Sequence, residues 1–320
     1  MFASIVIAGL ILVAVFVPYN RNGYLRMYGT KVGRLSCPDR KPAVVLLGGS
    51  SVAFGYDSEL VEQMTGMPVI NVGLHVGIGL KYMVDDCFPR LKRGDVLVLN
   101  PEYALFFNDR AHGESALTDV LFLDNFRNAA LLDRKQWLSV MNNIPNLLHE
   151  KLKYAAINAS GIPSDPVYKL SGFNSHGDVV AHWKLNDKQY VGRLAPQSLG
   201  KMNESAFGYM KKRLDEVRHR GITVVVYPAV ISATAYQNSL SDIMLTDSMF
   251  RSIGYPYVCP VSDVVRPDTS FYDTSYHLKH AGAVWHSRHL YLHIQKNKKI
   301  RPLIYDEKLN INLPHFPHFE

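Results

Sequence analysis

Cysteine is scarce in this chain of 320 residues, which contains only three, Cys37, Cys87 and Cys259. They have no CxxC spacing and no pattern typical of metal ligands, and an odd, sparse set argues against a disulfide framework. Cys259 ends an apolar stretch, so we expect it to be a small buried hydrophobic residue. The sequence therefore predicts neither a metal site nor a bound cofactor.

Signatures of nucleic-acid binding are also missing. The chain has 35 Lys and Arg against 28 Asp and Glu, a formal net charge of +7, and a basic balance can serve nucleic acid, anionic lipid or an acidic polymer. The basic residues are scattered, with local clusters at residues 211–213 and 296–299 only. Because no zinc finger, helix-turn-helix or RNA-recognition motif accompanies them, we expect no nucleic-acid partner.

Charge is absent from residues 2–17 (FASIVIAGLILVAVFV). As a helix, residues 1–19 would measure about 28 Å, close to the hydrocarbon thickness of about 30 Å. A cleaved signal peptide is the alternative, but no basic region precedes the run and no A-x-A cleavage site follows it. We therefore predict a transmembrane anchor. Basic residues follow it (Arg21, Arg26, Lys31 and Arg34), and by the positive-inside rule they place the main domain in the cytoplasm.

Strand-like and helix-like stretches alternate along most of the remaining chain. The predicted strands are residues 43–47, 68–72, 95–99, 222–227 and 257–260. The predicted helices are residues 57–66, 80–91, 117–126, 134–156, 201–220, 237–253 and 280–295. This alternation predicts a three-layer α/β/α fold with an open, mostly parallel five-stranded sheet.

The same alternation divides the chain into segments. We predict the anchor at residues 1–19, a connector at 20–42, the α/β domain at 43–296 and a basic tail at 297–320. Within the domain, residues 103–200 interrupt the alternation and are expected to form an insertion rather than an independent domain.

Residue types suited to acyl transfer follow the predicted strands, where ligands bind in open α/β sheets. They are Ser50 and Ser51 in a glycine turn, the backbone around Gly73 and Gly77, Asn100 and Glu102, and Asp273 with His277. Together they supply a nucleophile, backbone N–H donors for an oxyanion, a base and an orienting carboxylate. A glycine–serine turn alone is usually only a turn. It is the joint arrangement that indicates acyl-transfer chemistry.

Three blocks of sequence resemble the SGNH/GDSL hydrolase superfamily. Residues 46–55 (LLGGSSVAFG) are similar to its first block, residues 70–77 (INVGLHVG) to its second, and residues 271–278 (FYDTSYHL) to its fifth. The likeness is to the membrane-anchored branch, which is related to polysaccharide O-acetylation proteins and to the D-alanyl transfer protein of teichoic acid synthesis. It covers about residues 43–110 and 201–295.

The resemblance implies a mechanism. His277 would remove the proton of Ser50, which attacks an ester carbonyl while Asp273 orients the imidazole. Backbone N–H groups of Ser50 or Ser51, and of Gly73 or Gly77, would hold the oxyanion. Alternatives remain at three positions. Ser51 could be the nucleophile, His280 could replace His277, and His75 either touches substrate or is a loop side chain bonded to backbone.

Two departures from the family pattern concern the oxyanion site and the base. The usual third block, G-x-N-D, is absent, and its asparagine position falls on Glu102. A carboxylate cannot donate to an oxyanion unless it is protonated. Either Glu102 has a raised pKa, or it has another role, or Asn100 substitutes for the missing asparagine. Three residues separate Asp273 from His277, where the family more often has two, which leaves their contact open.

The resemblance also implies partners and a location. The expected substrate is an acylated, typically acetylated, cell-envelope or exported polysaccharide, with a membrane acyl donor protein as a further partner. Hydrolysis and transfer are both possible. We predict an extracytoplasmic catalytic domain, because a short N-terminal span carrying a bulky domain can violate the charge bias. Two other functions stay open: an inactive scaffold or glycan-binding subunit, and a nucleotide- or phosphate-binding protein that lacks GxxxxGK[ST].

Overall fold

A computed structural model of the chain describes residues 22–123, 126–161, 165–186 and 197–296, together with residues 9, 17 and 20. Apart from residues 9 and 17, the predicted anchor lies outside the described residues, and so does the predicted tail. Among the helices of the described ranges, none combines the length and the apolar character that a membrane span requires.

Four parallel strands form the central sheet, one fewer than the alternation predicts. They are β1 (Val44–Gly48), β2 (Val69–Asn71), β3 (Val96–Asn100) and β4 (Thr223–Val226), in the order β2-β1-β3-β4. Val44 pairs with both Val69 and Val96, and Val96 pairs with Thr223. The strands are almost wholly buried, as expected of short Val- and Leu-rich runs in a sheet covered on both faces. The prediction of a parallel α/β fold is confirmed.

The prediction of a fifth strand at residues 257–260 is wrong. This segment meets the sheet at one parallel bridge, where Val226 N–H donates to the Pro256 carbonyl at 2.9 Å and Val258 N–H donates to the Val226 carbonyl at 3.2 Å. Pro256 and Pro260 flank the bridge, and proline has no N–H to extend a ladder. A separate parallel pair, β5 (Ile231–Ser232) and β6 (Val265–Arg266), was not predicted.

Helices connect the strands and cover the sheet. They are α1 (Met27–Leu35), α2 (Ser50–Ala53), α3 (Ser58–Thr65), α4 (Leu80–Cys87), α5 (Ser115–Leu123), α6 (Arg134–Ser160), α7 (Glu204–His219), α8 (Ala233–Asn238), α9 (Leu240–Ser252) and α10 (His280–Lys296). Helix α3 illustrates how local sequence sets their ends. The Asp57 carboxylate accepts Leu60 N–H at 3.1 Å at its start, and Gly66 ends it with φ +67°.

Two apolar layers separate the sheet from its helices. Alternate strand residues point to opposite faces, so Val45 and Leu97 pack in one cluster while Val44 and Val96 pack in another. The first cluster includes residues of α1, α4 and α7, and the second includes residues of α3 and α10. Helix α1 lies within the predicted connector, and its Val32 and Leu35 are buried in the first cluster. That part of the connector is thus packed onto the domain.

The strand order places a topological switch point between β1 and β3. The chain leaves β1 to form β2 on one side and then crosses back to form β3 on the other side. At such a point the segments that follow the two strands diverge and leave a crevice at the carboxyl edge. Residues that follow β1 and β3 therefore meet there.

Candidate active site

Ser50 lies at this switch point, as the first residue of α2 just after β1. Its Oγ donates to Glu102 Oε1 at 3.2 Å, and Ser51 N–H donates to the same oxygen at 2.8 Å. Glu102 follows β3 and is buried, while Ser50 is 9% exposed. The first and third predicted segments of the site therefore contact each other through a serine–glutamate hydrogen bond.

Two glycines allow the segments after β1, β2 and β3 to approach one another closely. A Cβ on Gly49 would lie 2.5 Å from Glu102 Oε1, and a Cβ on Gly73 would lie 2.4 Å from Val52 Cβ. Contacts this short would force the neighbouring atoms apart. Glycine is therefore required at both positions by space, and the sequence supplies it in both predicted blocks.

Asp273 and His277 are in direct contact, which answers the question left by their spacing. His277 Nδ1 lies 2.8 Å from Asp273 Oδ1. An antiparallel bridge between Phe271 and Leu278 closes the loop that carries both residues, and Tyr272 N–H donates to the His277 carbonyl at 2.8 Å. The turn between them folds back, so three intervening residues are no obstacle. With Nδ1 directed at the carboxylate, Nε2 is the nitrogen that can take a proton.

Tyr168 is a member of this cluster that the sequence analysis missed. Its hydroxyl donates to Asp273 Oδ2 at 2.5 Å and lies 3.2 Å from His277 Nδ1. Burial and the neighbouring Asp273 carboxylate raise the pKa of Tyr168, so the phenol stays protonated and remains a donor. Tyr168 belongs to the predicted insertion, where its position gave no signal for a role beside residues more than a hundred positions later.

His277 shares its surroundings with the serine segment. The ring of Phe54, directly after α2, stacks on the His277 ring with centroids 3.9 Å apart and planes at 8°. The charge of His277 also acts on the buried carboxyl of Glu102. Ser50 Oγ nevertheless donates its hydrogen bond to Glu102 and not to His277. The Ser50 hydroxyl would have to turn away from Glu102 for His277 to take its proton.

Burial sets the charge state of Glu102. Removal from water raises the pKa of its carboxyl, and the Ser51 N–H, the His277 charge and the Ser50 hydroxyl offset only part of that effect. Of the three alternatives for Glu102, this supports the one in which its pKa is raised. In the protonated form the carboxyl becomes a hydrogen-bond donor.

The predicted glycine donors are already engaged within the protein, as Ser51 N–H is with Glu102. Gly73 N–H donates to Asn71 Oδ1 at 3.0 Å, and Gly77 N–H donates to His75 Nδ1 at 3.0 Å. His75 is therefore bonded to loop backbone, and burial together with the His277 charge lowers the pKa of its imidazole to about 4. Among the described residues, none accepts the backbone N–H of Ser50, which leaves this predicted donor to meet an oxyanion.

Asn100 does not substitute for the missing asparagine of the third block. Its Nδ2 donates to the carbonyls of Tyr227 and Pro228, each at 2.8 Å. Asn100 instead joins the end of β3 to the chain that follows β4. The alternative in which Asn100 stabilises an oxyanion is therefore disfavoured.

The two competing catalytic residues are placed less well than Ser50 and His277. Ser51 is fully buried, and its side chain lowers the pKa of the neighbouring Glu102 carboxyl. His280 begins α10, where its ring stacks on Trp183 with centroids 4.0 Å apart and Nε2 lies 3.6 Å from Asp57 Oδ2. Ser50 and His277 are thus the better candidates.

A buried lysine supports the loop after β2. The Lys31 ammonium, on α1, donates to the Gly73 carbonyl, and Asn71 Nδ2 donates to Asp178 Oδ1 at 2.8 Å. Burial lowers the pKa of Lys31 to about 7, although the Asp178 carboxylate acts in the opposite direction. Asp178 also accepts Ser58 N–H at 2.9 Å. Lys31 of the connector and Asp178 of the insertion thus both stabilise the loop that carries Gly73.

A scan against models of protein families finds no match to this chain, and a search of curated proteins finds no similar sequence. The likeness to SGNH/GDSL hydrolases therefore stays an inference from the residues of the three blocks.

Proposed function

We propose that this protein is a serine-dependent ester hydrolase or O-acyltransferase that works through an acyl-Ser50 intermediate. The observation that carries the proposal is the Asp273–His277 contact of 2.8 Å, with the His277 ring stacked on Phe54, which directly follows the helix that begins at Ser50. Nucleophile, base and orienting carboxylate are the three groups that acyl transfer requires.

The finer features of the fold belong to the same proposal. An SGNH-like α/β/α domain is supported by the parallel sheet, by helices against both of its faces and by the placement of the three sequence blocks around one edge. The anchor at residues 1–19 and an extracytoplasmic catalytic domain complete the proposed arrangement.

The proposed reaction begins when Ser50 turns from Glu102 to His277. His277 takes the hydroxyl proton, Ser50 Oγ bonds to the ester carbonyl carbon, and the carbonyl oxygen becomes an oxyanion held by Ser50 N–H. The carbon–alkoxide bond then breaks, and His277 returns the proton to the leaving alcohol. Water resolves the acyl-serine in hydrolysis, whereas a sugar hydroxyl resolves it in transfer.

Glu102 is proposed to act as a neutral donor to the oxyanion. Its raised pKa supports a protonated carboxyl, and Oε1 accepts from Ser51 N–H, so a proton on Oε2 would be the donor. This would place a carboxylic acid where the resembling family has an asparagine amide. The role differs from that of a base, which needs the ionised form.

Replacing Glu102 by glutamine tests this role. The neutral amide cannot lose its proton, so we expect the ratio of variant to wild-type kcat/KM to rise as pH increases through the raised pKa of the Glu102 carboxyl. The stability of the wild type should fall relative to that of the variant over the same interval, because a carboxyl with a raised folded pKa loses its stabilising contribution as pH rises through that pKa. Ester hydrolysis and thermal melting, measured from acidic to alkaline pH, report both effects.

Exposed Glu59 provides the control, since Glu59→Gln removes a solvated carboxylate and should change neither profile. A loss of about 100-fold or more in Glu102→Gln at every pH would assign the carboxylate itself to proton transfer.

An acylated glycan is the proposed substrate class. A cleft of about 590 Å³ is lined by Tyr168, Tyr24, Tyr154, Lys151 and other polar side chains, but not by Ser50 or His277. Tyr168, which donates to Asp273, links the cleft to the proposed site. Aromatic faces and hydrogen-bonding groups suit a sugar chain. The resemblance contributes the envelope polysaccharide and the membrane acyl donor partner to this proposal.

A catalytically weak or inactive scaffold, or a glycan-binding subunit, is the second candidate. It is favoured by the Ser50–Glu102 hydrogen bond and by the engagement of Gly73 and Gly77 N–H groups within the protein. In that case the serine segment would keep the fold without turnover.

Labelling with a fluorophosphonate separates the two candidates. The reagent modifies a serine that has a working base, so we expect native protein to gain one adduct, found on Ser50 by peptide mass spectrometry. Ser50→Ala should gain none. Native protein that stays unlabelled under conditions that label a serine esterase would favour the scaffold.

A further inference from the structure

We propose that Cys259, His289 and His293 form a binding site for a metal ion of the zinc class, outside the Ser50–His277 cluster. One ligand atom from each residue lies within 4.8 Å of the others. His289 Nε2 and His293 Nε2 are 3.2 Å apart. In a tetrahedral zinc site two nitrogen ligands at about 2.0–2.1 Å are separated by about 3.3 Å, a spacing that the two Nε2 atoms already match.

The fold explains how residues distant in the sequence meet here. His289 and His293 lie four positions apart on α10 and therefore on one face of that helix. Cys259 follows the Val226–Tyr257 bridge at the β4 edge of the sheet, on the face covered by α10. Helix α10 thus sets two imidazoles against a thiol held at the sheet edge.

His289 has a second partner that orients its ring. Tyr227 Oη lies 2.6 Å from His289 Nδ1. This contact leaves His289 Nε2 to face His293 Nε2, 3.2 Å away. Metal-binding histidines in proteins are commonly oriented by such a contact at the other ring nitrogen.

The two imidazoles are in the neutral form that binds a metal ion, whereas the thiol must first lose its proton. Burial and the neighbouring imidazole lower the pKa of His289 to about 3, and burial also lowers that of His293, so neutral rings prevail. Burial raises the pKa of the Cys259 thiol, so the metal must displace its proton, as metals do at coordinating thiols. The charges of Arg266 and Lys296 oppose a cation here, whereas Asp263 favours one.

A thiolate with two imidazoles is a donor set that suits zinc, which binds both sulfur and nitrogen. Both histidines are only partly buried, which gives water access to a fourth coordination position. Three protein ligands and one water complete a tetrahedral shell. When bound, the ion would fasten α10 to the segment that pairs with β4.

Cobalt titration of the full-length, reduced and chelator-treated protein tests the proposal. We expect one equivalent of Co²⁺ to give the intense visible bands of a tetrahedral site and a near-ultraviolet thiolate band, both removed by Zn²⁺. Zn²⁺ should also raise Tm, by an amount that grows with the logarithm of its concentration once that concentration exceeds its Kd. Wild-type protein that shows neither response would overturn the proposal.

Variants assign the ligands. Cys259→Ser should lose the thiolate band, and His293→Gln should weaken binding by about 10-fold or more. Cys37→Ser and His149→Gln, both at exposed positions, are matched controls that should bind as wild type does. A thiolate band that persists in Cys259→Ser would contradict the assignment. Because the wild-type titration needs no variant, a Cys259→Ser protein that fails to fold leaves the test intact.

Discussion

Replacing Ser50 by alanine should lower kcat on a chromogenic acetyl ester by at least about 10³-fold. The hydroxyl is the atom that bonds to the acyl carbon, and a methyl group cannot form that bond. Folding should be little affected, because Ser50 lies at the start of a short helix and its hydroxyl, within the described part of the chain, bonds only to Glu102. Steady-state kinetics and thermal melting of the same preparations measure the two effects.

Ser51→Ala is the matched control for this experiment. The Ser51 hydroxyl is buried and acts on the Glu102 carboxyl, so its removal should lower kcat by no more than about tenfold. If Ser51→Ala abolishes turnover and Ser50→Ala does not, the nucleophile is the second serine. Full activity in both variants would end the serine-esterase proposal.

Asp273→Asn is expected to have the next largest effect, a fall of about 10³-fold in kcat with little change in KM. An amide can offer its N–H to His277 Nδ1, and that bond leaves the ring proton on Nε2. The nitrogen that should accept the Ser50 proton is then blocked. Because the substituted side chain has the same shape, the loss arises from the tautomer of His277 rather than from altered packing.

A graded series checks that explanation. Tyr168→Phe removes one hydrogen-bond donor from Asp273 Oδ2 but leaves the Asp273–His277 contact in place, so we expect kcat to fall by about 10-fold. Asp39→Asn, at an exposed turn, should have no effect. A Tyr168→Phe variant as impaired as Asp273→Asn would mean that the phenol, not the carboxylate, sets the state of the imidazole.

The sequence was sufficient to predict where the main site residues lie. Short Val- and Leu-rich runs fixed the four strands of the sheet, and the rule that ligands bind beyond the carboxyl ends of strands placed Ser50 and Glu102 together. The Asp273–His277 pair was predictable as neighbours within one loop. These features depend on local patterns and on the geometry of parallel sheets.

Other features could not be predicted because they depend on contacts between distant segments. Tyr168 reaches Asp273 from the insertion, and no local pattern marks a tyrosine for that role. The state of Glu102 depends on how completely it is buried. Cys259 gains its histidine neighbours only when α10 packs on the sheet, so the absence of a compact metal motif was not informative about this cluster.

The prediction of a fifth strand was wrong for a different reason. Apolar runs of four residues do not distinguish a strand from a segment that only touches a sheet edge. The prolines at positions 256 and 260 were the available signal, since each removes a backbone donor. They limit the pairing to the neighbours of Tyr257.

Lys31 of α1 also makes the free energy of unfolding depend on pH, because the folded and unfolded chains bind its proton with different affinity. In the folded chain the pKa of Lys31 is about 7, against 10.5 in its ordinary state, so between these values the unfolded chain holds a proton that the folded chain has released. The stabilising contribution of this difference grows as pH rises from about 7 toward 10.5 and is lost as pH falls through 7. Because the same side chain donates to the Gly73 carbonyl, the packing of α1 against the loop after β2 depends on proton concentration between about pH 7 and 10.5.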